Sequence, residues 1–368
     1  MERRLPDLPH EIIYDILSRL PVKPLCRFKS VSKPWLALVT DPQFIKSHLN
    51  HQSTNHKKLL VHSLTSPCTC SVDCQAPDHT VAELEMPGKP GFRFLGSFNG
   101  ILLLHTGNIL CLWNPSIRVY QQISRPELSK FPHARILYGL GYDSISDDFK
   151  VVRAITIRPP SSDPLIVHVF SSKLNSWKRW TADFNYDIWG NGLGTVLNGA
   201  PHWVWHRSYL NTFFPSNQES VIVCFDATEE KFKEVPNPNY EGEDTRIHLG
   251  VWGGCLCVVE EHRKRLDSHA NFWVMKEYGA KDSWTKLFVV QSVPGEFFFQ
   301  NLKLLCDTKD GEVVMVLNFC CLVVYNPKQS RYKRIPIPQS CDQYRFRVGF
   351  YTESLVSPGG CNGTRRLP

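Results

Sequence analysis

The 368-residue chain has no apolar run long enough to cross a bilayer; the longest, from Val313 to Tyr325, is interrupted by Asn318. Met1-Glu-Arg-Arg leads into amphipathic sequence, not into the continuous apolar stretch of a signal peptide, so the protein is expected in a reducing compartment, cytoplasmic or nuclear. A dense basic block is also lacking. The formal charge of +7 is scattered over Arg3, Arg4, Arg19, Lys23, Arg27, Lys29 and Lys33, Lys57-Lys58, and Arg263-Lys-Arg265, which speaks for solvated faces and an acidic protein partner, and against nucleic acid. Catalytic signatures are missing too. His10-Glu-Ile-Ile-Tyr14 has tyrosine where a zinc-binding helix needs its second histidine, and Gly190-Asn-Gly-Leu-Gly194 lacks the spacing and the following helix of a phosphate loop. With no nucleophile elbow, P-loop or evident carboxylate pair, neither an enzyme nor a cofactor is expected.

The 13 cysteines are an odd number, and Cys111, Cys224, Cys255, Cys257, Cys306 and Cys320 lie inside apolar strand-like runs where a thiol packs as a small hydrophobe. No disulfide framework is expected. Cys68-Thr-Cys70-Ser-Val-Asp-Cys74 with His79 carries four metal-ligand types, but its spacing is not that of an established zinc finger; with Pro67 and Pro77 it reads as a reduced, flexible insertion holding no metal.

Two textures fill the chain. Residues 1–50 read as three or four short helices: Ile12, Ile13, Ile16, Leu17 and Leu20 recur at helical spacing behind Pro9, Pro21 and Pro24 stop that helix, Leu25, Phe28 and Val31 make a second stripe, and Ser32 and Asp41 are each followed by proline at a cap-and-start position. Fifty residues carry more apolar surface here than they can bury among themselves, so a partner is expected to cover the surplus.

From about Lys58 the sequence changes to short apolar runs between Gly, Asn, Asp and Pro. Trp113 to Tyr120, Phe170 to Trp177, Phe225 to Phe232 and Tyr325 to Tyr332 share one design, an aromatic, a polar turn and a second aromatic seven positions on; Met275 to Trp284 is a longer copy. Successive copies begin 50 to 57 residues apart, and most follow a Gly turn such as Asn99-Gly100, Asn198-Gly199, Gly253-Gly254 or Asp310-Gly311. Hairpins inside a period near 50 residues predict a mainly β, kelch-like β-propeller over 58–353. Strand-like Lys58 to Leu64 and Thr80 to Met86 at one end, with Tyr344 to Thr352 at the other, supply a sixth blade from both ends of the chain. Residues 354–368, rich in Gly and Pro, are expected to be a disordered tail. The recurrent aromatics Trp113, Tyr120, Trp177, Trp203, Trp205 and Trp284 are expected in the core. Tyr186, Trp189, Tyr209, Phe213, Phe214 and Phe298 break the repeat and are the candidates for contact with a target.

The N-terminal stretch closely resembles an F-box, on Leu5-Pro6, Leu8-Pro9, Ile16-Leu17, Leu20-Pro21, Arg27-Phe28-Lys29, Val31-Ser32-Lys33 and Trp35, with Pro24 the one departure. Gly139-Leu-Gly-Tyr-Asp143, Leu197-Asn-Gly-Ala-Pro-His-Trp203, Phe272 to Tyr278, Ser283-Trp-Thr-Lys286 and Glu353-Ser-Leu-Val356 resemble signature segments of the plant F-box-associated domain. The resemblance implies a substrate-recognition adaptor of a Skp-cullin-F-box ubiquitin ligase. The helices would dock on the Skp-type linker, and through it cullin, by Leu5, Leu8, Pro9, Ile13, Ile16, Leu17, Leu20, Pro21, Leu25, Val31 and Trp35, while the propeller holds the protein to be ubiquitinated. The competing readings are an F-box scaffold, or a carbohydrate- or ligand-binding propeller, acting outside a ligase.

Overall fold

The computed structural model describes residues 9–52, 57–73, 81–87, 91–106, 109–126, 134–156, 164–182, 186–187, 194–207, 220–240, 245–262, 268–293, 299, 301–338, 341, 345–359 and 364–367. Four helices come first: α1 (His10–Ser18), α2 (Val22–Phe28), α3 (Lys33–Thr40) and α4 (Pro42–Gln52). Ser32 Oγ accepts the Trp35 amide at 3.3 Å and Asp41 Oδ1 accepts the Phe44 amide at 2.9 Å, the two caps expected from Ser-Lys-Pro and Asp-Pro. Pro24 does not stop α1, which ends at Ser18; it sits in the first turn of α2, where a missing N–H breaks no helical hydrogen bond.

Strands then build a six-bladed β-propeller. Strands β1 (Lys57–Ser63), β2 (Thr69–Asp73) and β3 (Val81–Glu83) wait for a partner from the far end of the chain. Blade 1 is β4 (Arg93–Phe98), β5 (Ile101–Thr106), β6 (Ile109–Asn114) and β7 (Val119–Ser124); blade 2 is β8 (Arg135–Asp143), β9 (Asp148–Thr156), β10 (Leu165–Ser171) and β11 (Ser176–Ala182). Blade 3 runs β12 (Tyr186–Asp187), β13 (Thr195–Leu197), β14 (Ala200–Arg207), β15 (Ser220–Asp226), β16 (Lys231–Val235), with β12 and β13 sharing the inner place beside β14. Blade 4 is β17 (Thr245–Trp252), β18 (Cys255–His262), β19 (His269–Met275) and β20 (Trp284–Gln291), and blade 5 is β21 (Leu302–Asp307), β22 (Val313–Leu317), β23 (Cys321–Asn326) and β24 (Arg331–Arg334). In blade 6, β25 (Phe346–Thr352) is the inner strand and pairs with β1 from Lys57–Thr352 to Ser63–Phe346, which closes the ring as the sequence predicts.

Two sequence expectations are corrected at this closure. The cysteine segment is no flexible insertion between strands: Thr69–Asp73 is itself the second strand of the blade, and the Cys68 and Cys341 sulfurs are bonded because the β1–β2 hairpin and the approach to β25 meet there. Nor is the tail disordered from residue 354. Ser354 and Leu355 are buried, and β26 (Thr364–Arg366) adds a fifth strand to blade 1 beside β7.

The repeated sequence design has a common geometry. The two aromatics of each copy face each other across the two outer strands, Trp113 with Tyr120, Phe170 with Trp177, Phe225 with Phe232 and Tyr325 with Tyr332. The turn between them carries a left-handed residue at the same place in each copy, Arg118, Asn175, Glu230 and Ser330. The second aromatic also reaches back to the preceding blade: Trp177 Nε1 donates to the Ser124 carbonyl at 2.8 Å, Trp284 Nε1 to Pro236 at 2.8 Å and the Tyr332 hydroxyl to Gln291 at 2.7 Å. Every interface between neighbouring blades, including that between blades 6 and 1, holds its own apolar cluster, so the core is a ring of six wedges. Towards the axis the inner strands converge, and side chains give way to glycine: a Cβ on Gly139 would strike Trp203, and one on Gly349 would strike Phe94.

Candidate functional site: a helical docking face and a cationic channel mouth

In antiparallel four-stranded blades, each outer strand ends on the face where the next inner strand begins. All six inner strands therefore start on one face, the crossover face, and end on the other, where turns such as Asn99-Gly100 and Asn198-Gly199 lie. The helices sit on that second face. Their core of Leu17, Val22, Leu25, Val39 and Phe44 takes in Leu355 from beyond β25 and packs against Ile117 from the β6–β7 turn, while Lys46 lies 3.7 Å from Asp147 at the β8–β9 turn.

The segment Glu353-Ser-Leu-Val356 is the joint. Glu353 pairs with Lys58 at 2.8 Å across the closing blade. Ser354 Oγ donates to the Asn99 carbonyl at 2.8 Å, and Asn114 Nδ2 donates to the Ser354 and Val356 carbonyls at 3.0 and 2.8 Å, fixing blade 6 to blade 1. Leu355 then enters the helical core and Val356 packs on the cluster between blades 1 and 2. Four consecutive residues thus hold ring and helices in one arrangement.

On the helices, Leu17 (2% exposed) and Leu25 are core residues, which corrects their assignment to a docking surface: both are already covered by α3, α4 and Leu355. Ile13, Leu20 and Trp35 are half-buried against the same core, with Trp35 edge-on to Phe28. Pro9, Ile16, Pro21 and Val31 are exposed, Ile16 at 48% and Val31 at 63%; Leu5 and Leu8 lie outside the described residues. The structure adds Ile12, one turn from Ile16 on α1, and Leu36 on α3, both members of the sequence stripes but absent from the predicted set. Burial by α3 and α4, which no periodicity within α1 reveals, is what separates Leu17 from Ile16.

The propeller axis holds a channel of about 730 Å³ lined by β4, β13, β14, β17, β21 and β25. Its lining includes Arg93, Arg246, Lys303 and Arg347 and, among the described residues, no carboxylate. These four stand at the first or second position of β4, β17, β21 and β25, and Arg135 opens β8 in the same way, so the cations ring the crossover face. Glu261, opposite Arg246 in register, is buried and accepts the Leu302 amide. His202 also lines the channel, and burial pushes its imidazole down to about 4; it pairs at 2.6 Å with the Tyr278 hydroxyl. His105, beside Arg125 at 2.8 Å, is pushed down to about 4 by burial and by Arg125, Arg93 and Arg347. Near neutral pH, His105 and His202 therefore add no positive charge to that of the arginines and the lysine at the mouth. Phe319, 63% exposed and held with φ of 63° in the β22–β23 turn, stands at its rim.

Of the predicted target contacts, Tyr186 packs against Trp205 with ring centroids 6.1 Å apart, inside the cluster between blades 2 and 3. Trp189, Tyr209, Phe213, Phe214 and Phe298 lie outside the described residues. The recurrent Trp113, Trp203 and Trp205 are buried, and Tyr120, Trp177 and Trp284 half-buried, in the blade clusters. Cys68 and Cys70 do not converge with other ligand types: Cys68 is bonded to Cys341, Cys70 is buried with burial pushing its thiol up to about 11, and Cys74 and His79 are outside the described residues. Among the described residues no group of three or more His, Cys, Asp or Glu is placed to hold a metal.

Comparison with known proteins assigns both parts. Residues 5–47 match the F-box domain family and residues 48–354 match the F-box associated beta propeller domain family. The F-box protein CPR1 of Arabidopsis thaliana is 33% identical over 97% of this chain and 90% of its own length, and a second Arabidopsis thaliana F-box protein is 29% identical over 97% and 91%. Among solved structures, an oligogalacturonate lyase in complex with manganese is 9% identical, with a TM-score of 0.40 over 77% of this chain and 81% of its own.

Proposed function

Because the chain belongs to the F-box proteins that carry an F-box associated beta propeller domain, we propose that it is a non-catalytic adaptor of a Skp-cullin-F-box ubiquitin ligase, whose helices hold a Skp-type linker and whose propeller presents a target protein for ubiquitination. One observation carries the reading. The helices leave Ile12, Ile16, Val31 and Leu36 exposed on one side of the molecule, while the channel mouth opens on the opposite face. Linker and target then bind without competing, and the joint at Ser354 and Leu355 sets the direction in which the target is offered.

Ile16→Glu tests the docking face. Covering a half-exposed isoleucine is worth about 1 kcal/mol, and a carboxylate buried there without a partner costs about 2 kcal/mol more, together roughly 100-fold in affinity. Co-purification with a Skp-type linker should fall by that order while the melting temperature of the free chain stays put, because Ile16 faces water in the free protein. Wild-type capture by Ile16→Glu and by Val31→Glu alike would refute the docking assignment.

A further inference from the structure

Each inner strand is followed, some 50 residues later, by another inner strand starting on the same face, and five of the six open on a cation: Arg93, Arg135, Arg246, Lys303 and Arg347. Four of them, Arg93, Arg246, Lys303 and Arg347, line the channel with no carboxylate among its described residues, an electrostatically unfavourable gathering of like charges. Burial first and Arg93 second oppose the charge of Arg347, and burial opposes that of Lys303, so both lose some of their preference for the charged form. A fold that carries this repulsion at the rim of its axial channel is relieved by an anion there.

We infer that the channel mouth binds an acidic peptide segment of the target protein, its carboxylate or phosphoryl groups held by Arg93, Arg246, Lys303 and Arg347, with Phe319 covering the neighbouring apolar residue. This rests on the reading of the propeller as the target-binding part. The geometry favours a chain segment over a compact anion: the cations sit on separate strands around the opening, so several spaced negative groups are needed to meet them. Phe319 supplies an apolar contact that a free inorganic anion does not use. Its left-handed backbone, costly for a bulky side chain, keeps the ring at the rim instead of in a blade. Of the other aromatics that line the channel, Trp203, Trp205 and Phe346 are buried between blades, and Phe94 and Phe350 are half-buried.

The experiment uses the full chain and fluorescein-labelled decaglutamate, a labelled decapeptide with three phosphoserines among neutral residues, and inorganic tripolyphosphate as competitor, followed by anisotropy at 50 and 500 mM salt. At least one peptide should bind, and more weakly at the higher salt. Arg93→Gln and Arg246→Gln, whose heads are exposed in the free protein, should each weaken binding about tenfold, the loss of one charge-assisted hydrogen bond. Lys303→Gln should do the same, Phe319→Ser should weaken it severalfold, and Lys328→Gln on the opposite face should leave it unchanged. Preference for decaglutamate assigns carboxylates, and preference for the phosphopeptide assigns phosphoryl groups. If neither peptide binds, if tripolyphosphate binds and the peptides do not, or if the double Arg93→Gln, Arg246→Gln chain binds like the wild type, the inference is overturned. Linker capture, measured separately on the same variants, reports on the adaptor reading alone.

Discussion

Leu355, 3% exposed, belongs by sequence to the end of the propeller and by packing to the helices, where it meets Leu17, Leu25 and Phe44. Four short helices are too little chain for an independent core, so a side chain delivered from outside counts for more than it would in a large domain. Leu355→Ala should destabilise the helical module by about 2–5 kcal/mol. Hydrogen exchange should then quicken over residues 10–52 while β5, β9 and β22 keep their protection; uniform protection across the helices would show that Leu355 is a passenger. The same packing explains what periodicity in α1 reveals and what it hides. An apolar stripe identifies the helix and its buried side, but Ile12, Ile16 and Leu17 all belong to the stripe, and only the positions of α3, α4 and Leu355 decide which of them remain for a partner. Arg93, Arg246, Lys303 and Arg347 were equally invisible one at a time: each is an ordinary cation before an apolar run, and they become a ring only once the inner-strand starts are aligned.

At the level of the blade, the aromatic pair was the most legible feature because it repeats, and its function is to join blades as well as to fill them. Trp284 fills the cluster between blades 3 and 4 and donates to the Pro236 carbonyl of the earlier blade. Trp284→Phe keeps much of the apolar area and loses the donor, so the denaturation midpoint should fall by an amount equivalent to about 1–2 kcal/mol; no shift would mean that water replaces the indole at no cost. The buried histidines add a pH dependence. His105, His168 and His202 are pushed down to about 4, each first by burial, so between about 4 and the unfolded value near 6.5 the unfolded chain binds more protons than the folded one. Stability is then complete above about pH 6.5 and is lost as pH falls towards 4. Melting temperatures taken from pH 7.5 to 4.5 should drop through that window, and His105→Gln should shallow the slope; a flat profile would contradict the burial of these rings. The cysteine bridge marks the limit of such reading, since Cys68 and Cys341 are 273 residues apart and meet only through the closing blade.

For the whole molecule, the decisive event is the return of the chain end to its beginning. Before β25 pairs with β1, blade 6 is three strands with an open inner edge, and the clusters shared with blades 5 and 1 lack Phe346, Val348 and Tyr351. The joint is lost with it: Ser354 no longer ties β25 to Asn99 and Asn114, and Leu355 no longer enters the helices. A chain ending at Arg345 should therefore lose both the ring and the helical module, shown by a collapse of the melting temperature and by aggregation through the exposed edge of β1. A chain ending at Gly359 keeps β25 and the joint and gives up β26, the outermost strand of blade 1, whose three residues pair with Val119 to Gln121, together with Leu367, which packs on the rim of the cluster between blades 6 and 1. Its melting temperature should fall by a few degrees at most, and it should still capture the Skp-type linker. The contrast separates closure from mere length: equal behaviour of the two truncations would mean that the ring holds without β25, whereas collapse of the longer one would make β26 part of the closure.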